Sequence, residues 1–363
     1  MSRLVGSDEL IIDGSIGEGG GQILRNVIAT AALLGRPVRV INIRAKRDPP
    51  GLRPQHLSAV KGIVEITRGE VNGLNIGSME IYYSPGKAMP GKYVIDVGTA
   101  GSTTLMLQSL LPVISFAPGE VELLLKGGTN NPWAPPIDYI QHILLPTLKM
   151  MGVKAEIELI KRGFYPRGMG IIKVKSRPLT TLNPINITSG KLSSVEILAY
   201  TCNLPEHISE RMGGRAADLL KKKGIKDVVV RTEALQRDNP KCSIDPGAGI
   251  LIVVHLDSGV NMGFDALGER GVPAEKVAET AVEDMMRQLS TGAPIDKHLG
   301  DQLVIWVALA DGESVYKVTE LTSHTITAIE ISKRVLGASF ELNGTLGSSA
   351  TIKCRGIGLK GMH

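Results

Sequence analysis

The residue of this chain best suited to nucleophilic chemistry is a histidine placed where a helix is predicted to begin. His324 follows Thr322 and Ser323 in residues 320–326, where a strand-like segment ends, and either hydroxyl residue could cap the helix. The positive end of the helix dipole disfavours protonation of an imidazole there, and the neutral ring is the nucleophilic form. A lone histidine is more often structural than nucleophilic, so this context alone favours a structural role.

A glycine-rich turn near the start of the chain could bind an anion. Residues 13–22 place Glu18 among several glycines, directly before a predicted helix. Glycine lets the backbone approach a ligand closely, and the free N–H groups at a helix N-terminus attract phosphate. The Glu18 carboxylate could hold a divalent metal that bridges phosphates, or it could cap the helix after a plain tight turn. The turn has neither the GxxxxGK[ST] nor the GxGxxG pattern, which argues against a P-loop NTPase or a Rossmann enzyme.

A basic turn follows, between a predicted strand and a predicted helix. Its basic and polar side chains are Arg44, Lys46, Arg47, Arg53, Gln55 and His56. Guanidinium groups match the oxygens of a phosphate in a bidentate way. Pro54 suits the first helical turn, so Gln55 and His56 are predicted to project from a helix start. A solvated basic loop remains the alternative interpretation.

Strand-like and helix-like periods alternate around these turns, which indicates layered units of sheet and helix and predicts an α/β (α+β) fold. Glycine-rich turns at residues 17–24, 98–105 and 127–132 each precede a predicted amphipathic helix. These turns indicate a weak internal repeat, with three related units in about the first 180 residues. Helices are predicted over residues 54–67 and 274–289, among others.

The middle of the chain is richer in lysine and less regular, which predicts an insertion. Residues 186–293 are interpreted as an inserted α/β domain. Residues 1–185 and 294–363 are then predicted to form one large catalytic repeat domain, because the earlier pattern of strands and helices resumes after the insertion.

The composition is that of a globular protein, with 43% hydrophobic and 21% charged residues. Cys202, Cys242 and Cys354 show no CxxC spacing, which argues against a disulfide framework or a zinc site and favours a cytoplasmic location. The first ten residues lack the apolar core of a signal peptide, and no apolar run approaches a bilayer span, so no membrane partner is predicted. A net charge of +5 would help attract a polyanion, although many enzymes are as basic. If that partner is RNA, the 4% aromatic content favours contact with an end and its phosphates over a long stacked track.

Several of these segments together resemble the RNA 3'-terminal phosphate cyclase family, and the match runs nearly end to end. The most specific segments are residues 17–25, 53–57, 98–102 and 127–132. Residues 162–170 are similar to a family signature, except that Met169 stands where the family usually has the middle one of three glycines, which puts the local turn in doubt more than the activity. The resemblance implies a large domain of repeated two-helix, four-strand units, as in the enolpyruvyl transferases, with a smaller α/β insert.

The same resemblance implies an ATP-dependent ligase that converts an RNA 3'-phosphate into a 2',3'-cyclic phosphate. His324 matches the family's nucleophile, which would attack the α-phosphate of ATP and form a covalent histidine–AMP intermediate. AMP would then pass to the RNA 3'-phosphate, and the neighbouring 2'-hydroxyl would expel it. Because the last step is intramolecular, good geometry can lower its barrier by about 7–11 kcal/mol.

The resemblance also implies roles for further residues by their position. Glu18 matches an acid of the ATP site that holds a divalent metal, either magnesium or manganese, since both favour carboxylate oxygens. The implied ATP- and phosphate-binding residues are Glu18, Arg25, Arg44, Arg47, Gln55, His56, Gln108, Pro132, Asp301 and Gln302. The implied partners are ATP and the RNA 3'-phosphate end, and a homo-oligomer is left open.

Two other functions fit parts of this pattern. Cyclase-like ribosome-assembly proteins share the fold and bind RNA without catalysis, but they lack the catalytic histidine that His324 matches. An enolpyruvyl transferase shares the repeat and would need no ATP. The chain has no KxDG motif, which argues against the lysine nucleophile of common ATP-dependent ligases.

Overall fold

The computed structural model of this protein describes residues 9–361. Residues 1–8, which make up most of the segment considered above for a signal peptide, lie outside the described residues. Within the described range, sixteen strands form four sheets of four strands each, with helices packed between them, so the predicted mixed α/β fold is confirmed. Among these residues, no helix combines the length and apolar character that crossing a membrane requires.

The first repeat unit follows the order strand, helix, strand, helix, strand, strand. Its elements are β1 (Leu10–Asp13), α1 (Gly21–Leu34), β2 (Val38–Ile41), α2 (Pro54–Thr67), β3 (Glu70–Asn72) and β4 (Ile81–Ser84). The sheet order is β1-β2-β4-β3, with β1 parallel to β2 and the other neighbours antiparallel. Alternate residues of β2, Val38 and Val40, are buried, as expected for a strand with one face on the core. Gly35 ends α1 with a φ of 64°, the left-handed conformation that glycine adopts readily.

The second unit repeats this order of elements. It consists of β5 (Gly91–Asp96), α3 (Thr103–Ser115), β6 (Val121–Gly127), α4 (Ile137–Tyr139), a π-helical segment (Ile140–Leu144), α5 (Leu145–Met150), β7 (Lys154–Lys161) and β8 (Gly170–Arg177). Its sheet order, β5-β6-β8-β7, corresponds strand for strand to that of the first unit, again with only the first two strands parallel. This is the two-helix, four-strand unit that the resemblance implies.

A third unit opens with β9 (Asn186–Ile187) and is then interrupted by a separate sheet. The interrupting elements are β10 (Leu192–Cys202), α6 (His207–Lys222), β11 (Val228–Leu235), β12 (Gly247–Leu256), β13 (Asn261–Leu267) and α7 (Ala274–Leu289). They form the sheet β11-β10-β12-β13 and a hydrophobic core of their own, in which Met212, Ile250 and Met285 are fully buried. The domain boundaries at residues 186 and 293 stay a prediction.

After the interruption the third unit resumes and closes its sheet with the same order. Its remaining elements are α8 (Lys297–Gln302), α9 (Val304–Leu309), β14 (Glu313–Val318), α10 (Ser323–Leu336), β15 (Ser339–Asn343) and β16 (Ala350–Arg355). The sheet is β15-β16-β14-β9, with β9 parallel to β14. The prediction of three units within about the first 180 residues was therefore wrong. Each unit contains two strand-to-helix connections, and the turns at residues 98–105 and 127–132 both belong to the second unit.

Helices of the three units pack on one another around α1, which contacts α2, α3 and α10. The inward side of α1 is fully buried, with Ile23, Leu24, Val27 and Ile28 in the largest hydrophobic cluster of the described residues. The N-terminus of α1 lies beside the starts of both α2 and α10, because Gly21 lies against His56 and Glu18 bonds to Ser323.

A buried ion pair joins the second unit to the inserted sheet. The Arg162 guanidinium donates to both carboxylate oxygens of Asp138 at 2.9 and 2.8 Å and to Glu233 of β11 at 2.8 Å. It also lies 4.0 Å from the centre of the Tyr200 ring. Paired and hydrogen-bonded charges of this kind tolerate burial, whereas a lone charge would not.

Candidate active site

His324 is the second residue of α10, as the sequence predicted. Thr322 is the cap, because its hydroxyl accepts a hydrogen bond from the backbone N–H of Thr325 at 3.1 Å. About half of the His324 side chain is exposed, so the ring is accessible to a substrate.

Both ring nitrogens of His324 face residues of the glycine-rich turn. Nδ1 lies 3.1 Å from the amide oxygen of Gln22, and Nε2 lies 3.1 Å from the Glu18 carboxylate. The Glu18 carboxylate also accepts a hydrogen bond from the hydroxyl of Ser323, which is 305 positions away in the chain. Gln22 and Ser323 were not predicted as site residues, although both stand beside residues that were.

Cationic side chains gather around the starts of α1 and α2. Arg44 donates to the backbone oxygens of Pro49 and Gly51, both at 2.9 Å, rather than to a carboxylate. Burial and the nearby charges of Arg53 and Arg47 lower the pKa of Arg44, as expected where positive charges crowd together. The Arg47 guanidinium lies 3.6 Å from the Glu18 carboxylate. This arrangement suits an anion with several negative charges, such as a polyphosphate.

His56 lies at the centre of these cations and is buried. Its Nδ1 accepts a hydrogen bond from the backbone N–H of Arg53 at 3.2 Å, so the ring proton of the neutral form sits on Nε2. Nε2 lies against Gly21, the first residue of α1, so closely that a Cβ there would overlap it. Burial, reinforced by Arg25, Arg44 and Arg53, lowers the pKa of His56 to about 3. At neutral pH the ring is therefore an uncharged donor at the start of α1.

Gln55 connects this region to the second unit. Its amide oxygen accepts a hydrogen bond from the backbone N–H of Ser102 at 3.3 Å. Ser102 caps α3 by accepting from the N–H of Leu105 at 3.1 Å. The basic turn and the glycine-rich turn at residues 98–102 are thus held side by side.

A cleft opens next to α1, between α1, α3, the helical segment after β6, and α8 with α9. Its polar lining residues are Gln22, Asn26, Gln108, Asp301 and Gln302, and its apolar ones include Leu107 and Trp306. The structure thereby brings the predicted residues Gln108, Asp301 and Gln302 together. Gln22 lines the cleft and contacts the His324 ring, so cleft and ring form one site. Asn26 was missed, although it follows Gln22 by four residues and shares its helix face.

Charged groups at the end of this cleft are strongly perturbed by burial. Burial lowers the pKa of Arg25 to about 10, and the negative charge of Asp301 opposes that shift. Burial raises the pKa of Asp301 well above its usual range, and Asp296 adds to this effect while Arg25 opposes it. The side-chain oxygen of Gln302 is buried without a hydrogen-bond partner among the described residues. Perturbed ionisable groups and an unused acceptor are typical of a ligand site.

Pro132 lies outside the lining of the cleft. It is exposed in the loop between β6 and α4. This loop lies over the start of α3, because the Asn131 amide donates to the Ala100 oxygen and the Thr104 hydroxyl donates to the Pro135 oxygen at 2.7 Å. The predicted contact of Pro132 with adenine stays a prediction.

Comparisons with known proteins agree with the resemblance. The family model for RNA 3'-terminal phosphate cyclase matches residues 16–342 of this chain. A relative named RNA 3'-terminal phosphate cyclase from Staphylothermus marinus is 44% identical over 353 residues, which cover 96% of this chain and 98% of the relative. A relative of the same name from Desulfurococcus amylolyticus is 45% identical over 354 residues, covering 97% and 99%. Among solved structures, the enolpyruvyl transferase NikO from Streptomyces tendae matches with a TM-score of 0.25 and 11% identity, covering 96% of this chain and 82% of NikO, which supports no inference.

Proposed function

This chain belongs to the RNA 3'-terminal phosphate cyclase family, and we propose that it uses ATP to convert an RNA 3'-phosphate into a 2',3'-cyclic phosphate through a histidine–AMP intermediate. The observation that carries the proposal is the meeting of His324 with Glu18 and Gln22 beside the cations of the basic turn. A nucleophile, a carboxylate and phosphate-binding charges then share one site, next to a cleft lined by polar side chains.

In the first step, Nε2 of His324 attacks the α-phosphorus of ATP. An N–P bond forms, the bond from the α-phosphorus to the bridging oxygen breaks, and pyrophosphate leaves. Gln22 supports this role, because its amide oxygen can accept a hydrogen bond from Nδ1–H and so leave the lone pair on Nε2. Nε2 must separate from Glu18 before it attacks, since the carboxylate occupies the position next to it.

The phosphates of ATP would lie among the cations and the free N–H groups at the start of α1. Arg44 and Arg47 lie near this helix start, and the Nε2–H of His56 faces it. Such donors are fixed before the substrate arrives, so they can stabilise charge on the leaving pyrophosphate without costly rearrangement. Gln108, Asp301 and Gln302 line the cleft and would bind the nucleoside.

Glu18 is the residue that would hold a divalent magnesium or manganese ion. No group of three or more His, Cys, Asp or Glu side chains in residues 9–361 could hold a metal by itself. A single carboxylate fits an ion that draws further ligands from substrate phosphates, as magnesium usually does. Such an ion would neutralise part of the negative charge of the phosphates.

The later steps need little further chemistry from the chain. AMP passes from Nε2 to a terminal oxygen of the RNA 3'-phosphate, so the N–P bond breaks and a phosphoanhydride forms. The adjacent 2'-hydroxyl then attacks the RNA phosphorus, loses its proton, and AMP leaves. The attacking 2'-oxygen and the 3'-phosphate are attached to the same ribose, so their fixed orientation accounts for much of the rate acceleration.

Treatment with α-labelled ATP and a divalent metal, followed by mass spectrometry, tests the proposal. Wild-type protein should gain an acid-labile AMP adduct, and His324→Ala should gain none. His207→Ala is the matched control, because His207 is an exposed histidine at the start of another helix, α6, and it should label like wild type. An adduct that forms equally well in His324→Ala would refute the assignment. A wild-type chain that never labels would favour the non-catalytic RNA-binding alternative.

A further inference from the structure

A fully exposed tryptophan in the loop between β6 and α4 has no role in the steps above. The side chain of Trp133 is 99% exposed, whereas Trp306, the other tryptophan of the chain, is 3% exposed. Trp133 also has a φ of 58°, in the left-handed region that glycine and asparagine prefer. Because the Trp133 ring is exposed, its packing does not offset the energetic cost of this backbone conformation. Residues held in such conformations are frequent at ligand sites.

Two further exposed apolar side chains lie on an adjoining loop. Tyr165 is 71% and Met169 is 55% exposed, and Met169 also has a positive φ, 53°. The backbone N–H of Thr129 donates to the Gly163 oxygen at 2.9 Å, which ties this loop to the one that carries Trp133. We call Trp133, Tyr165 and Met169 the loop patch. Met169 is the residue that departs from the family signature, and the turn forms despite that departure.

The loop patch is connected to the site through a short series of contacts. The loop that carries Trp133 rests on the start of α3, through the bond from Asn131 to Ala100 and the bond from Thr104 to Pro135. One turn further along α3, Gln108 lines the cleft. Ser102, which caps α3, donates its backbone N–H to the side-chain oxygen of Gln55 in the basic region. These contacts join the loop that carries Trp133 to the cleft and to the basic region through the start of α3.

We propose that Trp133 stacks against a nucleobase near the 3' end of the bound RNA, with Tyr165 on the adjoining loop offering a second ring. This inference rests on the proposed function, which places the RNA 3'-phosphate at His324. Unpaired bases stack readily on exposed aromatic rings, and such stacking tolerates any sequence because every base has a flat face. The cations of the basic turn, which Gln55 joins to the start of α3, complement the RNA phosphates, and this favours RNA over a protein as the occupant.

Stacking makes a specific kinetic prediction. Trp133→Ala should raise the KM for a single-stranded 3'-phosphorylated oligoribonucleotide by about 5- to 150-fold, with little change in kcat. Trp133→Phe keeps a ring and should stay close to wild type. Val229→Ala is the matched control, because Val229 is an exposed apolar residue of β11, and it should behave like wild type. An oligonucleotide with abasic residues near its 3' end should bind wild type as weakly as the normal one binds Trp133→Ala.

Fluorescence tests the same contact without catalysis. Titration with the oligoribonucleotide, in the absence of ATP, should quench the emission of wild type but not that of Trp133→Phe, in which Trp306 is the only tryptophan. This readout separates the two proposals, since stacking can be seen even in a chain that forms no AMP adduct. An unchanged KM in Trp133→Ala would overturn the inference, as would emission that responds to protein concentration or to an added protein but not to RNA.

Discussion

The buried histidine of the basic region should make this protein less stable in acid by a predictable amount. The pKa of His56 is about 3 in the folded protein, and an unfolded histidine has a pKa of about 6.5. Between these values the unfolded chain binds a proton that the folded chain does not, so the free energy of unfolding rises with pH. From pH 7.5 down to pH 5, His56 alone should therefore remove about 2 kcal/mol of stability. The full effect, reached near pH 3, would be about 5 kcal/mol.

Urea unfolding at several pH values would measure this effect against a matched variant. His56→Gln has no titrating ring and keeps a side-chain oxygen that can accept from the N–H of Arg53. Between pH 7.5 and pH 5, the unfolding free energy of wild type should fall by about 2 kcal/mol more than that of the variant. Asp265, whose pKa is raised to about 7 mainly by burial, has the opposite pH dependence, but both proteins contain it and its contribution cancels.

Parallel stability curves for the two proteins would refute this reasoning. They would mean that the pKa of His56 in the folded protein is close to that of an unfolded histidine. In that case the ring would not be a fixed neutral donor at the start of α1, and its proposed part in phosphate binding would fail with it.

Three further outcomes follow from other contacts. Arg162→Met should lower the free energy of unfolding by about 3–5 kcal/mol, since it leaves the buried Asp138 carboxylate without its charge partner, while Arg211→Met, which breaks an exposed pair, should cost far less in the same urea assay. Gly21→Ala should destabilise by about 1–3 kcal/mol, because its methyl group overlaps the His56 ring; adding His56→Ala should restore part of that loss, and an unchanged unfolding midpoint in Gly21→Ala would contradict the packing. Glu18→Gln keeps the shape of the side chain but removes its charge, so the metal concentration for half-maximal self-adenylation should rise roughly 10- to 150-fold; an unaltered metal requirement would exclude Glu18 as the metal-holding residue.

Local sequence patterns determined much of the secondary structure and several parts of the site. The helices predicted over residues 54–67 and 274–289 match α2 and α7, because the apolar period and the proline before or at each helix start are local signals. The start of α10 and the position of His324 near that start were also fixed by neighbouring residues, whereas the choice of Thr322 over Ser323 as the cap came from the structure. The same applies to the exclusion of P-loop and Rossmann motifs, which depends on spacing alone.

Tertiary structure decided which of these local pieces meet. Glu18 and Ser323 lie 305 positions apart, and they touch only because α1 packs against α10. The division of the third repeat unit by the inserted sheet was likewise invisible to a search for turns, since its strands β9 and β14 pair across more than a hundred intervening residues. Gln22 and Asn26 gained their place in the cleft from helices of all three units. Local propensities act within a few residues, whereas a site of this kind is set by the burial of helix faces against each other, which no short segment specifies.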